Sequence, residues 1–148
     1  PNHIHLLVRQ LKENGISAFM QKIGGFATYF NKKYKRKGHL FNNFTSVHIQ
    51  TDDQLKNVVT YIHTNPIAFV QPGFKEFGVD NPKEVKEFLE NYKWSSYQDY
   101  IGRKNFPSLA EREYISELMG GIEGCKADVD NWVMVKKEIK DFYNIFLE

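Results

Sequence analysis

Ile16, Phe19, Met20, Ile23, Ala27, Phe30 and Tyr34 recur three or four positions apart, and this spacing constrains the fold more than any other feature of the chain. Side chains spaced in this way line one face of a 3.6-residue helix. The spacing predicts one long amphipathic helix over about residues 16–36, with Gly15 before it and Gly38 after it. Gly24 and Gly25 fall in its middle, at a cost of up to about 1 kcal/mol each relative to Ala. Either they let another backbone approach closely, or they are local weak points without a role.

On both sides of this helix the period changes. The apolar run Ile4 to Val8 predicts a strand over Pro1 to Val8. Alternate side chains of a strand share a face, so His3 and His5 project together and Ile4 and Leu6 go to the other side. Leu40 to Gln50 also reads as extended, with Phe41 and Phe44 followed by the alternating Val47-His48-Ile49. Thr51 then reads as the N-cap of a helix over about 52–64, with Asp52 and Asp53 in its first turn. Leu55, Val58, Val59 and Ile62 mark its buried stripe. Tyr61 and Asn65 lie about 40° apart at the edge of that stripe. Pro66 is expected to stop the helix, because the residue before a proline is pushed out of the α region.

Further along, residues 70–82 carry Pro72, Gly73, Gly78 and Pro82 and read as a loop, with a short helix over about 82–91. Ser108-Leu109-Ala110-Glu111 has the form of a capping box opening a helix that stops near Gly120-Gly121. A last helix over about 128–146 carries Trp132, Val135, Ile139, Phe142 and Phe146.

At 148 residues the chain has the length of one ordinary domain, and 41% apolar residues suffice for a core. Twelve Phe and eight Tyr are many for this size, so some rings are expected outside the core. A net charge of +2 gives no global polycation, yet Lys32, Lys33, Lys35, Arg36 and Lys37 fall within six positions. Such a cluster can engage phosphates. It can equally be a solvated helix end, where cations suit the macrodipole. Cys125 is the sole cysteine, which excludes an intrachain disulfide and fits a reducing cytoplasm. It reads as a buried or incidental residue rather than a catalytic thiol. No apolar run approaches the roughly 18 residues that span a bilayer, so no membrane association is expected.

Two imidazoles side by side supply two thirds of a metal site. A lone His-x-His on a strand is not specific. Nor is a tyrosine beside a helix stripe, which usually packs, nor an asparagine at a helix end. His63 points away from Tyr61 on the helix and reads as surface, or as support behind the ligands. His39 and His48 have no partner at ligand spacing.

Taken together, four blocks are specific. Pro1-Asn2-His3-Ile4-His5-Leu6-Leu7, Gly38-His39-Leu40-Phe41, Tyr61-Ile62-His63-Thr64-Asn65-Pro66 and Trp94-Ser95-Ser96-Tyr97 follow one another over roughly residues 1–100. In content and order they resemble the REP-associated tyrosine transposases, within the HUH single-tyrosine family. The resemblance implies a ferredoxin-like α/β (α+β) core over 1–104, with a helical C-terminal extension over 105–148. It implies metal-dependent cleavage and rejoining of single-stranded DNA beside imperfect hairpins. His3 and His5 match the metal-binding histidines, Tyr61 the nucleophile, and Asn65 the third polar ligand. The block from Trp94 to Tyr97 is read as packing or strand contact.

Elementary chemistry agrees with that implication. A phosphodiester repels anions and has a poor alkoxide leaving group. A divalent ion on two imidazoles and an amide oxygen keeps positions open for phosphate oxygens and acts as Lewis acid and template. The mixed donor set suits Mg²⁺ or Mn²⁺, with the imidazoles favouring Mn²⁺. A phenol with a pKa near 10 must lose its proton during attack. The covalent 5′-phosphotyrosine keeps the energy of the bond, so strands can be rejoined without a nucleotide cofactor.

The chain also departs from the family's pattern. The family has a strand and a helix before the histidine strand, and here the sequence opens on that strand. The expected core therefore lacks its first strand and helix. An open strand edge from Ile4 to Val8 would favour covering by a second copy, a homodimer. Asn42-Asn43-Phe44 replaces an Arg-Phe pair frequent in the family and removes one phosphate contact. The alternative function is a truncated, inactive remnant that binds DNA hairpins. A metal-dependent hydrolase using water instead of Tyr61 is a further alternative.

Overall fold

The computed structural model describes residues 3–135. The chain divides into two compact units, Pro1–Ser46 and Val47–Glu148, and each is described by itself.

Every regular element among the described residues is helical, and no strand occurs. This corrects the expected ferredoxin-like α/β core. The expected strand over Pro1 to Val8, described from His3 on, and the extended segment from Leu40 to Gln50 enter no ladder. A strand is held by hydrogen bonds to a neighbouring strand. Alternating apolar side chains create a face but not that neighbour.

The first unit is built on α1, Gly15–Lys33. Its boundaries follow the predicted period closely. At its end Tyr34 N donates to Phe30 O, and Arg36 N reaches back to Asn31 O at 2.9 Å across Lys35. Lys35 adopts φ 51 to make this closure. Asn31 Nδ2 donates to Gly38 O at 2.8 Å and ties the following turn to the helix. No side chain of α1 is fully buried. Met20, Ile23, Ala27 and Phe30 are half-buried, while Ile16 and Phe19 are exposed. A Cβ on Gly24 or Gly25 would meet nothing within 4 Å, so the close approach considered for these glycines is not made.

The second unit holds the core. Helix α2, Asp52–Thr64, starts at Thr51, whose side chain accepts from Gln54 N. The end of α2 differs from expectation. Asn65 stays right-handed helical at φ −54, ψ −33, and the chain continues as a 3-10 turn over Asn65–Phe69. Pro66 has no N–H for the α ladder, yet its fixed φ suits the tighter turn, so it changes the helix type rather than ending it. Helix α3 is Phe74–Phe77. Helix α4, Pro82–Asn91, follows the expected limits and is capped by Asn81 accepting from Glu84 N. Helix α5 is the single turn Tyr97–Tyr100.

The capping box expected at Ser108 is not used. Helix α6 begins later, at Glu113–Leu118, where the Glu111 carboxylate accepts from Glu113 N at 3.1 Å. Both oxygens of the Asp99 carboxylate take backbone N–H groups, from Asn105 and Phe106. Leu109 N then bonds Phe106 O, which leaves Ser108 inside a turn. Helix α7, Gly121–Met134, begins earlier than predicted. Gly120 and Gly121, at φ 82 and 75, form the joint with α6. The later part of the predicted last helix, with Ile139, Phe142 and Phe146, lies outside the described residues.

Helix α7 packs against α2, α4, α5 and α6. Tyr61, Ile67, Phe74, Val79, Val85, Leu89, Tyr97, Val129 and Val133 form one buried cluster. Val59, Tyr100, Ile115, Met119 and Cys125 form a second. Burial pushes the Cys125 thiol up to about 11, which leaves it protonated and inert. Lys86–Asp130 at 3.3 Å and Lys126–Glu90 at 3.2 Å link α4 to α7 at the surface. Such pairs contribute about 0–1 kcal/mol each, so apolar burial dominates this packing. No helix among the described residues is long and apolar enough to cross a membrane.

Candidate functional site

His3 and His5 belong to the first unit. Their side chains converge although no strand aligns them: Nε2 lies 3.1 Å from Nε2, with the rings nearly perpendicular at 86°. Two nitrogens bound to one ion at about 2.1 Å and at right angles lie roughly 3 Å apart. The pair therefore fits two adjacent positions around a single divalent ion. Without an ion, the same spacing lets one imidazole donate to the other, according to tautomer. No third His, Cys, Asp or Glu among the described residues joins them.

The same unit carries the basic segment. Lys32, Lys33, Lys35, Arg36 and Lys37 are all exposed. Lys33 Nζ sits 5.7 Å from the Tyr29 ring and 5.6 Å from the Tyr34 ring, and Arg36 Cζ is 5.9 Å from Phe30. Lys33 and Arg36 thus lie beside aromatic rings while their surfaces stay exposed. Charge is also segregated along the chain. Residues 1–46 hold eight Lys and Arg against Glu13 alone, and residues 47–148 hold twelve against seventeen Asp and Glu. The net +2 of the whole chain therefore conceals a formal +7 on one unit and −5 on the other.

Tyr61 and Asn65 belong to the second unit. They stand one turn apart, and Asn65 N–H bonds Tyr61 C=O across the end of α2. Asn65 is half-buried. Tyr61 is 6% exposed, inside the larger core cluster, and not at a stripe edge as its spacing suggested. Burial raises its pKa above the ordinary phenol value. Lys75 Nζ lies 5.8 Å from its ring centroid, and burial lowers the lysine's pKa. Tyr97 and Tyr100 are equally enclosed, with pKa values raised chiefly by burial.

His63 corrects a second expectation. It is 2% exposed and not a surface residue. Its Nε2 meets Ser96 Oγ at 3.1 Å, and its ring lies 5.3 Å from that of Tyr97 and 5.1 Å from that of Tyr100. Burial lowers its pKa to about 4, so it is neutral at physiological pH. The buried side of α2 extends to Thr60, Tyr61, His63 and Thr64, a wider arc than its aliphatic residues indicate. Thr64 tolerates this because its hydroxyl donates to Thr60 O at 2.8 Å. The reach of the core to His63 was missed in the sequence, where only its neighbourhood to Tyr61 could have signalled it.

The block from Trp94 to Tyr97 divides by side chain. Ser96 and Tyr97 close over His63, and Ser95 Oγ accepts from Tyr97 N at 3.2 Å. Trp94 is 71% exposed, stacked on Phe106 at 6.3 Å, with Lys93 Nζ 4.6 Å above it. The block's inner residues pack, and its outer one presents a ring beside a cation. No family model, curated protein or solved structure matches the chain.

Proposed function

We propose that this chain cleaves and rejoins single-stranded DNA next to a hairpin, with Tyr61 as nucleophile and a divalent ion, Mg²⁺ or Mn²⁺, on His3 and His5. The observation that carries the reading is the 3.1 Å approach of the two imidazole nitrogens, the spacing of two ligands on one ion. Asn65 is the third ligand that the resemblance to the HUH transposases assigns. Bound there, the ion would supply Lewis-acid stabilisation to the phosphate oxygens.

The chain's own residues would do the rest. Tyr61 Oη loses its proton and attacks phosphorus. The bond from phosphorus to the 3′ oxygen breaks, that oxygen takes up a proton, and a 5′-phosphotyrosine remains. Rejoining is the reverse attack by a 3′-hydroxyl. The cations from Lys32 to Lys37 hold the strand by its phosphates.

A second reading, DNA binding without catalysis, is favoured by one specific observation. Tyr61 is 6% exposed, with a pKa raised by burial, and a phenol so enclosed must be uncovered before it attacks. One experiment separates the readings. The full chain is incubated with 3′-labelled hairpin-flanked oligonucleotides and Mn²⁺, then resolved under denaturing conditions, so that the label stays on the fragment whose 5′-phosphate would join the tyrosine. Catalysis gives a covalent adduct that requires metal and disappears in Tyr61→Phe while binding survives. Binding with no adduct under any metal establishes the second reading. An undiminished adduct in Tyr61→Phe moves the nucleophile to another tyrosine. Light scattering on the same sample reports whether the active species is a homodimer.

A further inference from the structure

The apolar stripe of α1 does not account for all of its aromatic residues. Phe26 and Tyr29 lie on a different face, roughly 100° around the helix from the centre of the stripe by the 3.6-residue period. That second face also carries Lys22 and Lys33, one turn before Phe26 and one turn after Tyr29. Both rings are more than half exposed, Phe26 at 53% and Tyr29 at 58%. Two large rings in solvent, bracketed by lysines, are poorly explained as core. We propose that this face is a base-stacking platform for unpaired DNA, with Phe26 and Tyr29 each taking the flat side of one base and Lys22 and Lys33 taking the flanking phosphates. The inference rests on the single-strand reading above and adds the side chains that contact bases.

Three observations select this occupant. Between Glu13 and Asp52 the chain has no carboxylate, so the segment that carries the two rings has positive charge only. A polyanion is the complementary partner, and an acidic or neutral protein groove is a poorer one. The exposed apolar groups on this face are rings, which suit the π face of any base without regard to sequence. The Lys33 ammonium, 5.7 Å from the Tyr29 ring and 5.6 Å from the Tyr34 ring, is placed where a phosphate beside a stacked base would run. Positions three apart on a helix are neighbours about 5–6 Å apart at Cβ, so successive bases can each find a ring.

The test uses the full chain and two labelled strands of equal length, an oligothymidylate and its abasic counterpart. Wild type should bind the thymidylate more tightly, by roughly five- to a hundredfold for each stacked base. Phe26→Ala with Tyr29→Ala should erase that preference while leaving abasic affinity and helix content unchanged. Tyr29→Phe should keep the preference, since the ring and not the hydroxyl does the stacking. Equal wild-type affinity for the two strands overturns the platform while the single-strand reading stands. No binding to either strand at low salt removes the single-strand reading as well. Loss of binding to anionic phospholipid vesicles in the double variant, with thymidylate affinity unchanged, would reassign the face to a membrane surface and overturn the proposal.

Discussion

His63 Nε2 and Ser96 Oγ meet at 3.1 Å across 33 residues of sequence. This bond joins the segment Tyr61 to Pro66 to the segment Trp94 to Tyr97, two blocks that the sequence presents as separate. One enclosed imidazole therefore fixes α2, which carries Tyr61, against α5. The hydrogen bond satisfies one ring nitrogen inside a largely apolar setting, and the cost of burying the ring appears in its lowered pKa.

That burial has a pH signature. His63 titrates at about 4 when folded and near 6.5 when unfolded. Below pH 6.5 the unfolded chain therefore binds a proton that the folded chain refuses. The stability contribution is fully present above pH 6.5 and is lost as pH falls toward 4. The loss is on the order of 3 kcal/mol if no other group compensates. Urea midpoints at pH 7 and pH 4.5 measure it. His63→Gln, which can still bond Ser96, should flatten the dependence, and an unchanged slope would place the effect on other groups.

Asp99 organises the loop before α6. Its carboxylate accepts from Asn105 N and Phe106 N at 3.0 Å each, and Arg112 stands 3.8 Å away. Asp99→Ala should destabilise the chain by about 2–4 kcal/mol, because two backbone donors lose their acceptor. Asp99→Asn, which keeps one acceptor oxygen, should cost less. Equal losses in the two variants by thermal melting would count against this account.

Gly124 sits where helices α6 and α7 close on each other. A Cβ there would stand 1.8 Å from Met119 O. The obstacle is backbone and cannot rotate aside, so Gly124→Ala should cost more than about 3 kcal/mol. The exposed Gly25 has nothing within 4 Å of its Cβ position, and Gly25→Ala should be stabilising by up to about 1 kcal/mol. Chemical denaturation of the two variants gives opposite signs.

Replacing Lys33, Lys35 and Arg36 with Gln should weaken binding to every single-stranded oligonucleotide alike. Each lost phosphate contact should lower the slope of log affinity against log salt by roughly 0.7. A titration series from low to moderate salt measures the slope. An unchanged slope would return these residues to the role of a solvated helix end.

The helices with one dominant face were legible in the sequence. Gly15–Lys33 forms α1 near the predicted limits, and Thr51 caps α2 where its residue type indicates. Their signals are local: a period of 3.6, or a side-chain oxygen three positions from a free N–H. Ser108 had the same local signal and failed: it lies in the turn that Leu109 N closes on Phe106 O, and the Glu111 side chain accepts from Glu113 N instead. The predicted strands failed for a related reason. A helix closes its hydrogen bonds within itself, whereas a strand depends on a partner that alternation cannot name.

The candidate residues divide along the same line. The sequence alone determined that His3 and His5 stand two apart, that Tyr61 and Asn65 stand one turn apart, and that five cations cluster after Tyr29. Only the tertiary structure decided that Tyr61 and His63 are enclosed, that Ser96 is the partner of His63, and that Phe26 and Tyr29 stay in solvent. Periodicity reports how many faces of a helix are apolar. Burial depends on how many neighbours surround it, and for α2 that number is set by α7 and the 3-10 turn, which no local pattern encodes.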